Sequence, residues 1–314
     1  MEKKQSTDTL MMVRPVQFRF NEQTAINNYY QKAIDGLSEA EIQSQASEEF
    51  ETFVEKLRAK NIKVVVVDDT PEPSTPDSIF PNNWVSFHED GRVGLYPMCA
   101  VNRRAERRND ILEQFREKEK LRITEIIDFS EHETESRFLE GTGSMILDRP
   151  NKLAYAAISV RTNEMVLDEF CKKFNYKAVK FTANQTFKGT RLPIYHTNVM
   201  MCIANEFAIL CSNSIDEASE KKAVIESLEK TGKEVIEISE EQKHRFAGNM
   251  LQVNGSDGNP YLVMSAAAHQ SLNEKQITRI EKYCEILSSS LDTIEALGGG
   301  SARCMMAEVF LPKA

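Results

Sequence analysis

Glycine and proline are scarce in this chain of 314 residues, at 13 and 10, and tryptophan occurs once. No Pro/Gly/Ser-rich linker divides the sequence, so a single domain over residues 1–314 is expected, long enough to bury a substantial core. The one heavily punctuated stretch, "DDTPEPSTPDSIFPNNW" (68–84), reads as a rigid loop rather than a boundary. The six cysteines (Cys99, Cys171, Cys202, Cys211, Cys284, Cys304) include no CxxC, and the five histidines form no HExxH pair. A zinc site is therefore disfavoured, and free thiols in a reducing compartment are expected. No apolar run approaches the ~20 residues needed to span a bilayer. "MEKKQSTDTLMM" lacks the apolar core of a signal peptide, so the cytoplasm is the expected location. Positive charge is also short: 39 Lys and Arg stand against 48 Asp and Glu, a net −9. That balance argues against nucleic-acid and anionic-membrane partners.

What is present is an alternation of short apolar runs and charged helical stretches. "IKVVVVDD" (62–69), "LAYAAISV" (153–160), "EVIEIS" (234–239) and "PYLVMSAA" (260–267) read as strands. "VMMCIANEFAILCS" (199–212) reads as a hairpin turning at Asn205-Glu206. Helices are expected over 105–120, 214–232 and 271–290. Ser214 or Asp216 would start the second and Gly232 end it, and the third would present Ile277, Ile280, Tyr283, Cys284 and Leu287 on one face. The class is α/β.

The chemistry-bearing candidates are few. "LGGGSARCMM" places Cys304 four residues after Gly300; it lacks the Gly-Lys-Ser/Thr of a phosphate loop. The spacing fits a buried cysteine beside a turn equally well as a nucleophile whose developing oxyanion is met by backbone N–H groups at Gly299 and Gly300. A nucleophilic cysteine needs a proton-transfer partner. His196, in "LPIYHTNVMMCI", lies at a strand entry, whereas His88 and His132 look like solvated loop histidines and His244 lies in charged surroundings. Glu140, in "RFLEGTGSMILD", stands out among the carboxylates because apolar Phe138 and Leu139 precede it and the glycines after it permit close approach. Arg161 directly follows a strand, a position suited to gripping a carboxylate. Asn82 and Asn83 precede the tryptophan, where an Asx-turn is the simpler account.

Taken together and in order, "MVRPVQFRFN", "PDSIFPNNWVSF", "FLEGTGSM", "AYAAISVRTNE", "YHTNVMM", "GNMLQVNG" and "GGGSARCMM" resemble the guanidine-modifying (pentein) superfamily: arginine deiminases, dimethylarginine hydrolases and amidinotransferases. Within it the chain is most similar to the citrulline-utilisation hydrolase group. The resemblance implies a five-bladed α/β propeller of ββαβ-like units around a central channel. It also implies Cys304 as nucleophile, His196 as general acid/base and Glu140 as the carboxylate beside the reacting group. Arg161, with Arg103, would bind the substrate carboxylate, and Asp77 would lie near the substrate's polar end. No cofactor or metal is implied. The partner would be a small amino acid, citrulline or arginine-like, and a homo-oligomer is compatible with the sequence. Two departures bear on the substrate. Related guanidinium hydrolases carry acids where this chain has Asn82 and Asn83, and their Glu-x-Gly-Asp becomes Glu140-Gly-Thr-Gly-Ser144. A guanidinium has donors only, whereas a neutral ureido group offers a carbonyl acceptor, so amides favour citrulline. A deiminase or amidinotransferase using a guanidino substrate, and a non-catalytic binding scaffold, are the alternatives.

Overall fold

In the computed structural model, which describes residues 4–34 and 36–314, the valine-rich run forms a strand with a parallel neighbour. β1 (Thr9–Arg14) and β2 (Lys63–Asp68) pair in that way. A parallel pair needs a long crossover, and here it is the helix Glu39–Ala59. A Ser38–Glu41 capping box starts it, and it buries Ile42, Ala46, Phe50, Phe53, Val54 and Leu57 along one stripe.

The next sheet adds an antiparallel strand. β3 (Val85–Phe87) runs antiparallel to β4 (Arg92–Leu95), which runs parallel to β5 (Glu125–Asp128) across the helix Asn109–Glu117. The same order recurs in β6 (Ile146–Asp148), β7 (Leu153–Ala157) and β8 (Lys177–Phe181). After the hairpin β9 (Asn184–Phe187) and β10 (Thr190–Pro193), it recurs in β11 (Met201–Ile203), β12 (Phe207–Leu210) and β13 (Glu234–Glu237). It appears again in β14 (Leu251–Asn254), β15 (Pro260–Ser265) and β16 (Glu285–Ser289). The first sheet is completed from far along the chain: β17 (Ala307–Glu308) lies antiparallel to β1, with Leu10 opposite Glu308. The result is a mixed α/β fold of small sheets, five of them three-stranded with one common order.

Apolar clusters join neighbouring sheets. Ala307 and Met11 pack with Val85 and Phe87, and Tyr96 and Ile127 with Leu147 and Ala154. Ile146 and Tyr155 share a cluster with Met201, Ile209, Leu262 and Met264, and Leu10 and Met12 pack with Leu251 and Val253. Among the described residues no helix is long and apolar enough to cross a membrane.

Three expectations change. The helix expected over 271–290 ends at Glu281, and Glu285–Ser289 forms β16 instead. Its burial alternates, with Leu287 and Ser289 buried, because it pairs with β15, a partner outside the local window. The helix expected over 214–232 spans Ala218–Lys230 and is capped by Glu217, since Asp216 is held by Arg191 and Asn184. His88 is not solvated: it is buried, its Nε2 sits 2.8 Å from Ser86 Oγ, and its ring stacks on Phe174 at 4.0 Å.

Candidate active site

The first strand of each three-stranded sheet is entered through a tight turn, and these turns carry the site. Pro81–Asn83 precedes β3, Gly141–Ser144 precedes β6, and Thr197–Val199 precedes β11. Asn249 lies just before β14 and Cys304 just before β17. Short helical turns at these places leave backbone groups unpaired and aim side chains forward of the sheet.

Glu140 and His196 meet directly. His196 Nε2 lies 2.7 Å from Glu140 Oε2, and both residues are buried. Glu140 Oε1 accepts the Cys99 N–H at 2.9 Å, and Arg161 Nη1 approaches Oε2 at 3.4 Å. Burial, the largest influence on Glu140, works against its charge. Arg161 and the His196 bond outweigh it and hold the carboxyl well below the usual range. Burial pulls His196 down from 6.5 to about 4 despite Glu140. A neutral ring beside an ionised carboxylate keeps its proton on Nε2, which leaves Nδ1 as the acceptor. Nδ1 lies on the Gly143 side: a Cβ at Gly143 would sit 2.9 Å from it and 2.4 Å from Asn83 Nδ2, so only glycine fits between them.

Asn83 is oriented by Arg103, whose Nη1 donates to Asn83 Oδ1 at 2.8 Å. The same guanidinium grips Glu106 through Nε and Nη2 at 2.8 and 2.9 Å and reaches the Phe80 carbonyl. Burial raises Glu106 to about 8 in spite of that pairing. Arg103 thus has its donors occupied, and it stands behind Asn83 rather than open to a substrate carboxylate. Asp77 Oδ2 takes Asn21 Nδ2 at 2.8 Å and Thr24 Oγ1 at 3.1 Å. Asp77 Oδ1, Asn82 Oδ1, Asn83 Nδ2 and Asn198 Oδ1 are buried with no hydrogen-bond partner among the described residues.

Cys304 Sγ lies 3.3 Å from both Asn198 Nδ2 and Asn249 Nδ2. The glycine loop serves differently from expectation: the Gly299 N–H is taken by the Glu295 carbonyl, capping the helix Asp292–Gly298, so it is not a vacant oxyanion donor. Gly300 closely adjoins the cysteine, a Cβ there being 3.3 Å from Cys304 Cβ. The segment 21–32 lies across this ensemble. Asn27 Oδ1 accepts from Arg161 Nε at 2.8 Å, Thr24 O from Arg161 Nη2 at 3.0 Å, and Asn28 Nδ2 donates to Gly298 O at 3.3 Å. A separate cavity of about 420 Å³, lined by Tyr29, Phe187, His244 and Glu295 among others, contains none of the site residues.

Geometry thus gathers Glu140, His196 and Arg161 into one hydrogen-bonded group, sets the Asn83–Arg103 pair beside it across Gly143, and brings Cys304 onto two asparagines. Sequence reasoning missed Asn198, Asn249, Asn27 and Glu106. Asn198 stands two residues after His196, and that i, i+2 spacing on one turn was the available signal.

The chain belongs to the family described as N,N dimethylarginine dimethylhydrolase, eukaryotic, which matches residues 14–311. It is thereby a member of the guanidine-modifying pentein superfamily. No curated protein matches it in sequence. Its fold is similar to that of the N-terminal domain of ArgZ bound to substrate, an arginine dihydrolase from the ornithine–ammonia cycle in cyanobacteria. The TM-score is 0.72 at 15% identity, over 96% of this chain and 97% of that one. AgrE, in a ternary complex with ornithine and NAD+, gives 0.73 at 18% identity, over 97% of this chain but 39% of AgrE. A dimethylarginine dimethylaminohydrolase held as an adduct with S-methyl-L-thiocitrulline gives 0.64 at 12% identity, over 96% and 99%.

Proposed function

We propose that the protein hydrolyses the ureido C–N bond of citrulline through Cys304, releasing ornithine, ammonia and carbon dioxide. The observation that carries the substrate choice is the orientation of Asn83. Arg103 can only donate, so the oxygen of Asn83 must face it. The amide then offers an unpartnered N–H on the side of Gly143 and His196. A guanidinium meeting that N–H would set donor against donor, whereas a ureido oxygen accepts from it.

In this reading the Cys304 thiol gives its proton to His196 Nδ1, and the thiolate attacks the ureido carbon. The imidazolium, stabilised by Glu140, returns the proton to the departing amine of ornithine. An S-carbamoyl enzyme remains. His196 then takes a proton from water as it attacks, the C–S bond breaks, and the released carbamate decomposes to ammonia and carbon dioxide. Arg161 takes the α-carboxylate in place of Asn27 when segment 21–32 opens, and the unpaired oxygen of Asp77 receives the α-ammonium. The five sheets close as blades around this site; the apolar clusters that link first to second, second to third, third through fifth, and fifth back to first support that arrangement.

A second reading, an arginine or other guanidino substrate, is favoured by the family and by what its structural neighbours bind. Incubation with citrulline, arginine, agmatine and dimethylarginine, with ornithine and ammonia assayed, separates the two. Citrulline is expected to give the highest kcat/KM. A higher value for arginine overturns the ureido assignment, and no turnover of any substrate favours a binding scaffold.

A further inference from the structure

We infer that Asn249, acting with Asn198, is a positioning residue that seats the Cys304 sulfur for attack; this rests on the reading of Cys304 as the nucleophile. The amide of Asn249 has one possible orientation. Its Oδ1 accepts the Arg303 N–H at 3.0 Å, and a backbone N–H can only donate. Its Nδ2 donates to the Asn198 carbonyl at 3.1 Å, and a carbonyl can only accept. The remaining hydrogen of Nδ2 is directed to Cys304 Sγ at 3.3 Å.

Asn249 therefore ties three of the strand-entry turns together: its own, that of Asn198, and that of Cys304. The approach is close enough to exclude a side chain at the neighbouring position. A Cβ at Gly248 would lie 2.4 Å from the Val199 carbonyl and 2.8 Å from the Met200 backbone. Asn198 supplies the second donor to sulfur at 3.3 Å.

Two neutral amide donors converging on one sulfur fix its position and meet the negative charge it carries during attack, without bringing a proton that could be lost to it. The His196 ring, meanwhile, is anchored to Glu140 by Nε2. The sulfur's seat and the proton-transfer group are thus built from different side chains. Weakening the seat should change the thiol's reactivity even with no substrate present.

The test is the pH dependence of Cys304 alkylation by iodoacetamide, followed by mass spectrometry on the full chain without substrate, beside kcat and KM for citrulline. Asn249→Ala should move the alkylation profile to higher pH and lower kcat by about 10²-fold with KM little changed. Asn249→Asp, which sets a negative charge beside the sulfur, should move the profile further in the same direction and should not restore kcat. Asn198→Ala removes a donor from a different turn and should shift the profile the same way, so a poorly folding Asn249 variant does not end the test. Unaltered alkylation profiles in Asn198→Ala and in the folded Asn249 variants overturn the inference, whatever their turnover. Shifted profiles together with citrulline turnover that survives Cys304→Ser would uphold the sulfur seat and overturn the catalytic reading instead.

Discussion

The two ends of the short inner strands are both polar and buried, yet they are finished to different degrees. Where the strands end, Gln5 donates to the carbonyls of Leu147 and Ile203 and accepts the Arg149 N–H. Arg303 donates to the Met306 carbonyl and Glu308, and Arg149 approaches Glu308 from the other side at 3.5 Å. Where the strands begin, Asp77, Asn82, Asn83 and Asn198 each keep a buried polar atom without a partner among the described residues, against Gln252 Nε2 near Asn205 at the other end. An unpaired buried donor or acceptor costs about 1–3 kcal/mol, so a cluster of them in one place argues for a ligand that completes them. One end holds sheets together, and the other keeps a group of unpartnered atoms that suits the proposed substrate.

Substitutions can break that contrast. Cys304→Ser should lower citrulline turnover by about 10³-fold or more, with the circular dichroism spectrum and thermal midpoint retained; near-normal ornithine release would remove the chemistry from this end. Asn83→Asp exchanges the unpartnered N–H for an acceptor beside Arg103. It should reduce the citrulline-to-arginine ratio of kcat/KM by about 10²-fold, and an unchanged ratio would mean that Asn83 does not read the substrate.

A smaller effect concerns acid stability. Burial holds His196 neutral, with its pKa lowered from 6.5 to about 4. The unfolded chain therefore binds a proton there that the native state refuses. The contribution to stability is present above pH 6.5 and is lost as the pH falls toward 4. Urea midpoints measured between pH 7 and 4.5 should fall more steeply for the parent than for His196→Asn, and parallel curves would contradict the assigned burial. Least for catalysis is Gln5→Ala. It should cost about 1–3 kcal/mol or more, because three backbone groups lose Gln5 as a partner, while kcat stays unchanged; a large loss of kcat would erase the distinction between the ends.

Much of this was legible in the residues. Glu140 stood out because apolar Phe138 and Leu139 precede it and glycines follow, and Phe138, Leu139 and Glu140 are all buried. The hairpin at Asn205-Glu206 and the strand at 63–68 follow from patterns that local sequence records. What escaped depends on partners distant in the chain. β16 looks helical until β15 is beside it. His88 has charged neighbours in sequence, but its surroundings are set by Phe174. Arg103 looked like a substrate ligand, and only the fold brings Glu106, Phe80 and Asn83 to its donors. Asn249 stood only inside the matching segment "GNMLQVNG", with no role of its own, and its contact with sulfur comes from the joining of the last two strand entries.

The pairing of β17 with β1 sets an order of assembly. Leu10 and Glu308 come together across nearly the whole chain, the most non-local strand contact in the fold, whereas β3 with β4, or β11 with β12, form within short hairpins. Closing so long a loop is entropically demanding and favours late formation. Glu140, His196 and Asn83 can therefore be in place before Cys304 arrives, and a chain lacking the β17 pairing would hold the Glu140–His196 pair without Cys304 beside Asn198 and Asn249. Completion of the first sheet and delivery of the sulfur proposed as nucleophile are then one event.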